Sequence, residues 1–164
     1  MKSINEIVSE FRDYARTNMY TMSFPMAPKP MVDLAIKNTN IPSMSINAPE
    51  LIYRGFNVPT QGVPTLGAFP VTFVIDIDFE VYKFFKKWFE TMNNVETGDA
   101  PTTLIGGTHY GDGVLQYVQP DFKMGYKLTF INMWPTEISE ITLNEENNIM
   151  EFTVNFKYSG IKEG

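Results

Sequence analysis

Four places in the sequence hold residue types that do chemistry elsewhere. Asp76-x-Asp78-x-Glu80 sets carboxylates two residues apart, on one face of an extended strand, as a metal or sugar-nucleotide site would use them. A hard cation needs several more oxygen ligands close by, and the local sequence supplies none. The reading is a solvated face, with Asp78 capping the helix that follows. The run Gly106-Gly107-Thr108-His109-Tyr110-Gly111-Asp112-Gly113 resembles a phosphate-cradling loop only in its glycines. It lacks the lysine followed by serine or threonine of a P-loop, and a strand follows it where a dinucleotide fold places a helix. It reads as a turn. His109, the single histidine, has no nucleophile elbow of the Gly-x-Ser-x-Gly kind to serve, and one histidine per chain excludes a multi-histidine metal centre. The aromatic run Phe84, Phe85, Trp88, Phe89 has the rings of a base-stacking platform without the basic groove such a platform needs. No catalytic residue, cofactor or metal is expected, and the protein reads as non-enzymatic.

Bulk composition narrows the classes further. The 164 residues fit one domain, and 43% hydrophobic with 14% aromatic content supplies a core. Cysteine is absent, which removes disulfides and thiolate chemistry together. Mean hydropathy is −0.16 and no apolar run approaches the roughly 18 residues of a membrane span. The opening residues lack the apolar stretch of a secretory signal, so assembly in a cytoplasm is expected. Net charge is −6 with a pI of about 4.8, a balance unsuited to gripping nucleic acid and compatible either with plain solubility or with a conduit that must not hold DNA.

The elements that carry these residues read as mainly β with helices. Ser3-Ile4-Asn5-Glu6 has the form of a capping box, and Ile4, Ile7, Val8, Phe11 and Tyr14 recur at helical spacing, so a helix is expected over 4–15. Strands are expected at 19–24, 33–37, 71–78, 113–118, 126–134, 137–143 and 150–158, with prolines 25, 28 and 30 as a stop after the first. Val81, Phe84, Phe85, Trp88, Phe89 and Met92 fall on one stripe at i, i+3, i+4, i+7, i+8 and i+11, the clearest helix in the chain, over 79–93. The sum is an antiparallel β-sandwich or barrel, residues 1–164 as one domain, packed by one amphipathic helix.

Residues 47–70 fit none of this. Prolines 49, 59, 64 and 70 and glycines 55, 62 and 67 punctuate an apolar stretch that includes Leu51, Ile52, Tyr53, Arg54, Phe56, Val58, Val63, Leu66 and Phe69. Disordered segments are poor in such residues, so this one is expected to order against a partner, in part as a hairpin.

The pattern resembles the tail tube proteins of contractile-tailed phages over nearly the whole length. Phe11-Arg12-Asp13-Tyr14-Ala15-Arg16-Thr17-Asn18-Met19-Tyr20 is similar to that family's passage from helix into first strand. Ile41-Pro42-Ser43 is similar to its step before the long loop, and Val71 to Trp88 to its strand-to-helix passage. Met133-Trp134-Pro135-Thr136-Glu137-Ile138-Ser139-Glu140-Ile141-Thr142-Leu143 is the most specific piece, resembling a Leu-Trp-Pro-Thr-x-hydrophobic-x-Glu-Leu-x-Leu segment through Trp134, Pro135, Thr136 and Glu140. The loop start is longer and richer in proline here.

The resemblance implies homo-hexameric rings stacked into a hollow tube of a virion tail, with neighbouring sheets joined in one inner barrel and 47–70 reaching the adjacent ring. It also implies an outer sheath, a baseplate, and double-stranded DNA passing through without specific binding. A tube-family adaptor or initiator, or the tube of a contractile injection system or type VI secretion apparatus, carries the same pattern. A monomeric ligand-binding β-barrel, its loop folded over the mouth, is the alternative from another class.

Overall fold

The computed structural model describes residues 4, 6, 14–24, 31–93, 96–98 and 109–164. Eleven strands and two helices lie within them: β1 (Tyr20–Ser23), α1 (Met31–Leu34), β2 (Ile36–Thr39), β3 (Met44–Ile46), β4 (Glu50–Tyr53), β5 (Phe56–Pro59), β6 (Pro64–Leu66), β7 (Phe69–Val74), α2 (Glu80–Met92), β8 (Gly111–Val118), β9 (Met124–Ile138), β10 (Glu151–Lys157) and β11 (Gly160–Glu163).

Seven strands form one antiparallel sheet in the order β1-β8-β9-β10-β7-β2, with β11 also on β9. The 15-residue β9 serves two layers. Its first half pairs with β8 and β11, and its second half, from Trp134 to Ile138, pairs with β10. The bend falls at Asn132, held at φ 51, whose N–H donates to Asp112 Oδ1 at 3.0 Å. The β8–β9 register shifts beside it, between Gly111 and Gly113. A bulge of this kind turns a strand and lets one sheet fold over itself. A Cβ at Gly113 would meet Met133 Cε at 2.6 Å, so any larger residue there would have to displace the methionine's end.

The two layers close on an aromatic core. Phe152, Val154 and Phe156 of β10 pair with Phe73, Val71 and Phe69 of β7, and all six are buried. From the other layer Met22, Leu115, Leu128 and Phe130 point in, and Phe130 stacks on Phe69 with ring centroids 4.2 Å apart. Helix α2 seals the core. Phe85 lies against Phe73 at 4.5 Å and against Phe24, Phe152 and Phe156, and Trp88 donates its indole N–H to the His109 carbonyl at 2.8 Å. Val81, Phe85 and Trp88 are buried, Phe84 and Met92 pack at the edge, and Phe89 is half-buried. The expected stripe is therefore the buried one. Burying each large side chain stabilises by about 1.5–3 kcal/mol.

Several boundaries differ from the sequence reading. Of the helix expected over 4–15, Ile4 and Glu6 are helical, 14–16 are not, and the rest lies outside the described residues, as do prolines 25, 28 and 30. The strand expected at 33–37 begins at Ile36, because α1 first drops Val32 into the core and leaves Leu34 exposed; pairing with β7 starts where Val74 N–H reaches the Ala35 carbonyl. The strand from Val71 ends at Val74, not 78, and Ile77 is 97% exposed.

Asp78 is not the cap of α2. Asp76 is: its carboxylate accepts from the N–H of Glu80 at 3.2 Å and of Val81 at 3.3 Å, while Phe79 turns left-handed at φ 56 to let the chain enter the helix. Asp78 contributes its carbonyl, which accepts from Lys83 Nζ.

The strands expected at 126–134 and 137–143 are one strand, β9, running through Pro135, and 139–150 hold no strand. Proline interrupts a ladder only where its missing N–H is needed. Pro135 lies beyond Met133, the last β9 residue paired with β8, and faces the Asn155–Phe156 register shift of β10. The closing residues, read as a continuation past the last strand, form β11.

Candidate functional site: the projecting arm and the seam at its root

Between β2 and β7 the chain leaves the sheet and returns. Ser43 and Gly67 form the root, the Gly67 N–H donating to the Ser43 carbonyl at 2.8 Å. Beyond it β3 pairs with β6, then β4 with β5, and Arg54-Gly55 close the tip. Their φ values of 48 and 83 are those of a two-residue turn whose twist suits a hairpin. What reads in the sequence as a proline-pinned loop is thus a complete two-stranded arm. From root to tip it spans about 36 Å at the usual rise per residue.

One bulge interrupts it. The Asn47 N–H donates to the Val63 carbonyl while its own carbonyl accepts from Gly62, so two return residues oppose one outgoing residue. From Ile46 to Glu50 the outgoing strand takes four steps, and from Pro59 to Pro64 the return strand takes five. Such a slip moves the return strand's side chains across the ribbon. Near the root the apolar pairs are Met44 with Leu66 and Ile46 with Pro64. At the tip they are Leu51 with Val58 and Tyr53 with Phe56, on the opposite face from Ile52 and Asn57. The Arg54 guanidinium lies 5.4 Å from the Tyr53 ring centroid, and Asn57 Nδ2 donates to Glu50 at 2.9 Å.

Every residue from 43 to 59 is exposed, Phe56 by 74%. Val63 is exposed as well, and Leu66 is half-buried at the root. Phe69 does not belong with them: it is fully buried on β7, because the arm ends at Leu66 and β7 alternation turns Phe69 inward. A two-stranded ribbon with apolar side chains bare on both faces is marginal in water on its own.

The arm's root adjoins a seam. β1 and β2 end the sheet order, and among the described residues one side-chain bond joins them, Tyr20 Oη donating to the Lys37 carbonyl at 3.2 Å. Burial raises the Tyr20 pKa, which keeps it a donor. Beside it a groove of about 680 Å³ opens among Tyr20, Leu115, Tyr117, Tyr126, Leu128 and Ile41. Tyr126 Oη donates to Glu163 at 2.6 Å, and this bond raises the tyrosine's pKa. Sequence reasoning passed over these tyrosines, whose only signal is their place in alternating strands.

The remaining residues singled out in the sequence lie elsewhere. Trp134 is half-buried with its ring edge-on to Tyr110, Pro135 is buried, and the Thr136 hydroxyl donates to the Asn155 carbonyl at 3.0 Å. Glu140 is exposed. Trp134, Pro135 and Thr136 lie in β9 just past its bend, Glu140 lies beyond the strand's end, and none of the four is in the arm. Residues 106–108 of the glycine-rich run lie outside the described residues; Gly111 to Gly113 are strand.

The profile of the phage tail tube protein family matches residues 2–162, nearly the whole chain. The chain belongs to the phage tail tube protein family. Its fold is shared by solved chains of low identity. A chain of the anti-feeding prophage baseplate is 12% identical with a TM-score of 0.70, covering 93% of this chain and 97% of that one. A chain of the sheath-tube complex of the extracellular contractile injection system PVC, in the extended state, is 12% identical with a TM-score of 0.59, covering 100% and 99%. Hcp1 from Flavobacterium johnsoniae is 12% identical with a TM-score of 0.53, covering 89% and 94%. A search of curated protein sequences gives no match. As a tail tube protein the chain is a structural subunit of a tube, and the bent β9, the sealing helix and the arm are its versions of that fold.

Proposed function

We propose that this tail tube subunit forms homo-hexameric rings that stack into a hollow tube, and that the arm of each subunit joins one ring to the next. The bare arm carries this reading: Leu51, Tyr53, Phe56, Val58 and Val63 stand exposed, with only a second protein surface to cover them. Burying such side chains is worth about 1.5–3 kcal/mol each, enough over several residues to drive stacking. Within a ring, neighbouring subunits would join their sheets to close the inner barrel, which leaves no free edges.

The tube is a passage for double-stranded DNA during delivery to a host, and the −6 charge suits a wall that lets a polyanion slide. A sheath and a baseplate are its partners in the tail, and assembly takes place in the host cytoplasm. The subunit works by geometry and performs no catalysis. An adaptor or an injection-system tube would show the same arm, and copy number per particle separates these. A monomeric barrel would need its arm folded over the mouth, whereas residues 43–59 are all exposed.

Electron microscopy of the purified chain is the test. Rings and tubes are expected, and a monodisperse monomer at high concentration would refute the reading.

A further inference from the structure

The arm's tip and the groove lie at opposite ends of one length. The arm spans about 36 Å from root to tip. A body of roughly 140 residues has a radius of gyration of about 14 Å, which makes it about 37 Å across. The groove sits at the arm's root: Thr39, Asn40 and Ile41, which lead out of β2 into the arm, form one of its walls. A second copy displaced along the arm by one body therefore presents its groove where the first copy's tip arrives.

From this coincidence we propose that the groove between β1 and β2 is the socket for the arm tip of a copy in the adjacent ring. The inference rests on the stacked-ring reading and adds the receiving site.

The chemistry of the two surfaces agrees. Tyr20 and Tyr117 are directly paired across β1 and β8, and the buried pair Leu115 and Leu128 across β8 and β9 floors the groove, so the socket offers neighbouring rings over an apolar base. The tip brings Leu51, Tyr53, Phe56 and Val58 on a single face. Tyrosine walls suit such a contact, since they bury ring area and keep a hydroxyl for the rim. The tip cation, Arg54, has a carboxylate to meet in Glu163, which Tyr126 holds at the rim. Arg16 also lines the groove, and Glu50 on the arm's other face is its matching charge. Each copy gives one tip and accepts one tip, a head-to-tail contact that propagates without closing on itself.

The cysteine-free sequence makes this testable by cross-linking. Val58→Cys at the tip and Thr17→Cys at the socket are placed in one chain, assembled, and treated with a short bis-maleimide. A ladder of covalent oligomers running past the size of one ring is expected, with each single-cysteine variant free of it. Tubes visible by microscopy without that ladder would overturn the socket while leaving the stacked-ring reading intact. An unmodified chain that forms no tubes would sink both.

A second variant covers the case in which the double mutant does not assemble. Tyr117→Glu, with an unchanged circular dichroism spectrum, is expected to give single rings at concentrations where the unmodified chain gives tubes. Full-length tubes from that variant would overturn the socket as well.

Discussion

Leu51 and Val58 face each other across the outermost ladder of the arm, 58% and 47% exposed, with none of the body's core to cover them. A cross-strand apolar pair is worth about 0.2–1 kcal/mol within the ribbon, far less than its burial in a partner would yield. The pair therefore belongs to assembly more than to folding. Replacing both, Leu51→Ser with Val58→Thr, is expected to leave the melting temperature of the dissociated subunit nearly unchanged. The concentration needed for assembly, read by sedimentation, should rise at least tenfold. A subunit that unfolds, with assembly lost only for that reason, would argue against this division.

Gly55 holds the tip at φ +83 with open space around its missing side chain. Gly55→Val meets no clash and still pays for the left-handed backbone, by about 1–2 kcal/mol. The body should keep its melting temperature while the arm frays. Faster amide exchange confined to 47–63, together with weaker assembly, is the expected signature.

Phe85 touches Phe24, Phe73, Phe152 and Phe156 at once, and Phe85→Ala is expected to cost about 3–5 kcal/mol by denaturant titration. Trp88→Phe keeps most of the packing and leaves the His109 carbonyl without its donor, a loss of about 1–3 kcal/mol. If Trp88→Phe proved neutral, water or another group would have to reach that carbonyl.

Asp76 gives a pH-dependent test. Its partial desolvation raises the carboxyl pKa, but the N–H groups of Glu80 and Val81, its own N–H and the nearby Lys83 charge outweigh this and hold it below the ordinary value. A carboxyl that titrates lower folded than unfolded contributes fully above its unfolded pKa, about 3.9, and loses that contribution as pH falls through the folded value. Asp76→Ala is expected to cost about 0.5–2 kcal/mol at pH 7. The gap between the two chains, followed by thermal melts, should narrow below about pH 3.9. A gap that is constant or widens in acid would contradict the capping role.

The sequence was legible where one periodicity acts alone. The α2 stripe and the alternation of Phe152, Val154 and Phe156 each face a single core, so spacing located them. It failed where a third dimension decides. Pro135 looks like a break, and only the end of β8 pairing, at Gly111 opposite Met133, explains why β9 passes through it. Asp76 and Asp78 are equivalent in the sequence until Phe79 turns left-handed and hands the helix to Asp76. Phe69 and Leu66 read alike in an apolar stretch, and the Ser43–Gly67 root separates core from arm. The arm was legible as a segment wanting a partner, through its apolar content. Its bulge was not, since one extra residue between Pro59 and Pro64 leaves no compositional mark. The groove was invisible for a similar reason: its tyrosines come from three strands far apart in sequence.

The arm's removal tests the whole account most directly. Ser43 and Gly67 are already hydrogen-bonded, so an Asn-Gly turn can replace 44–66 and close the root as a two-residue hairpin. Electron microscopy of this chain beside the unmodified one is the measurement. Tubes from the unmodified chain are expected, with single rings or monomers of unchanged circular dichroism from the armless one. Tubes of normal length without the arm would contradict the claim that it joins ring to ring.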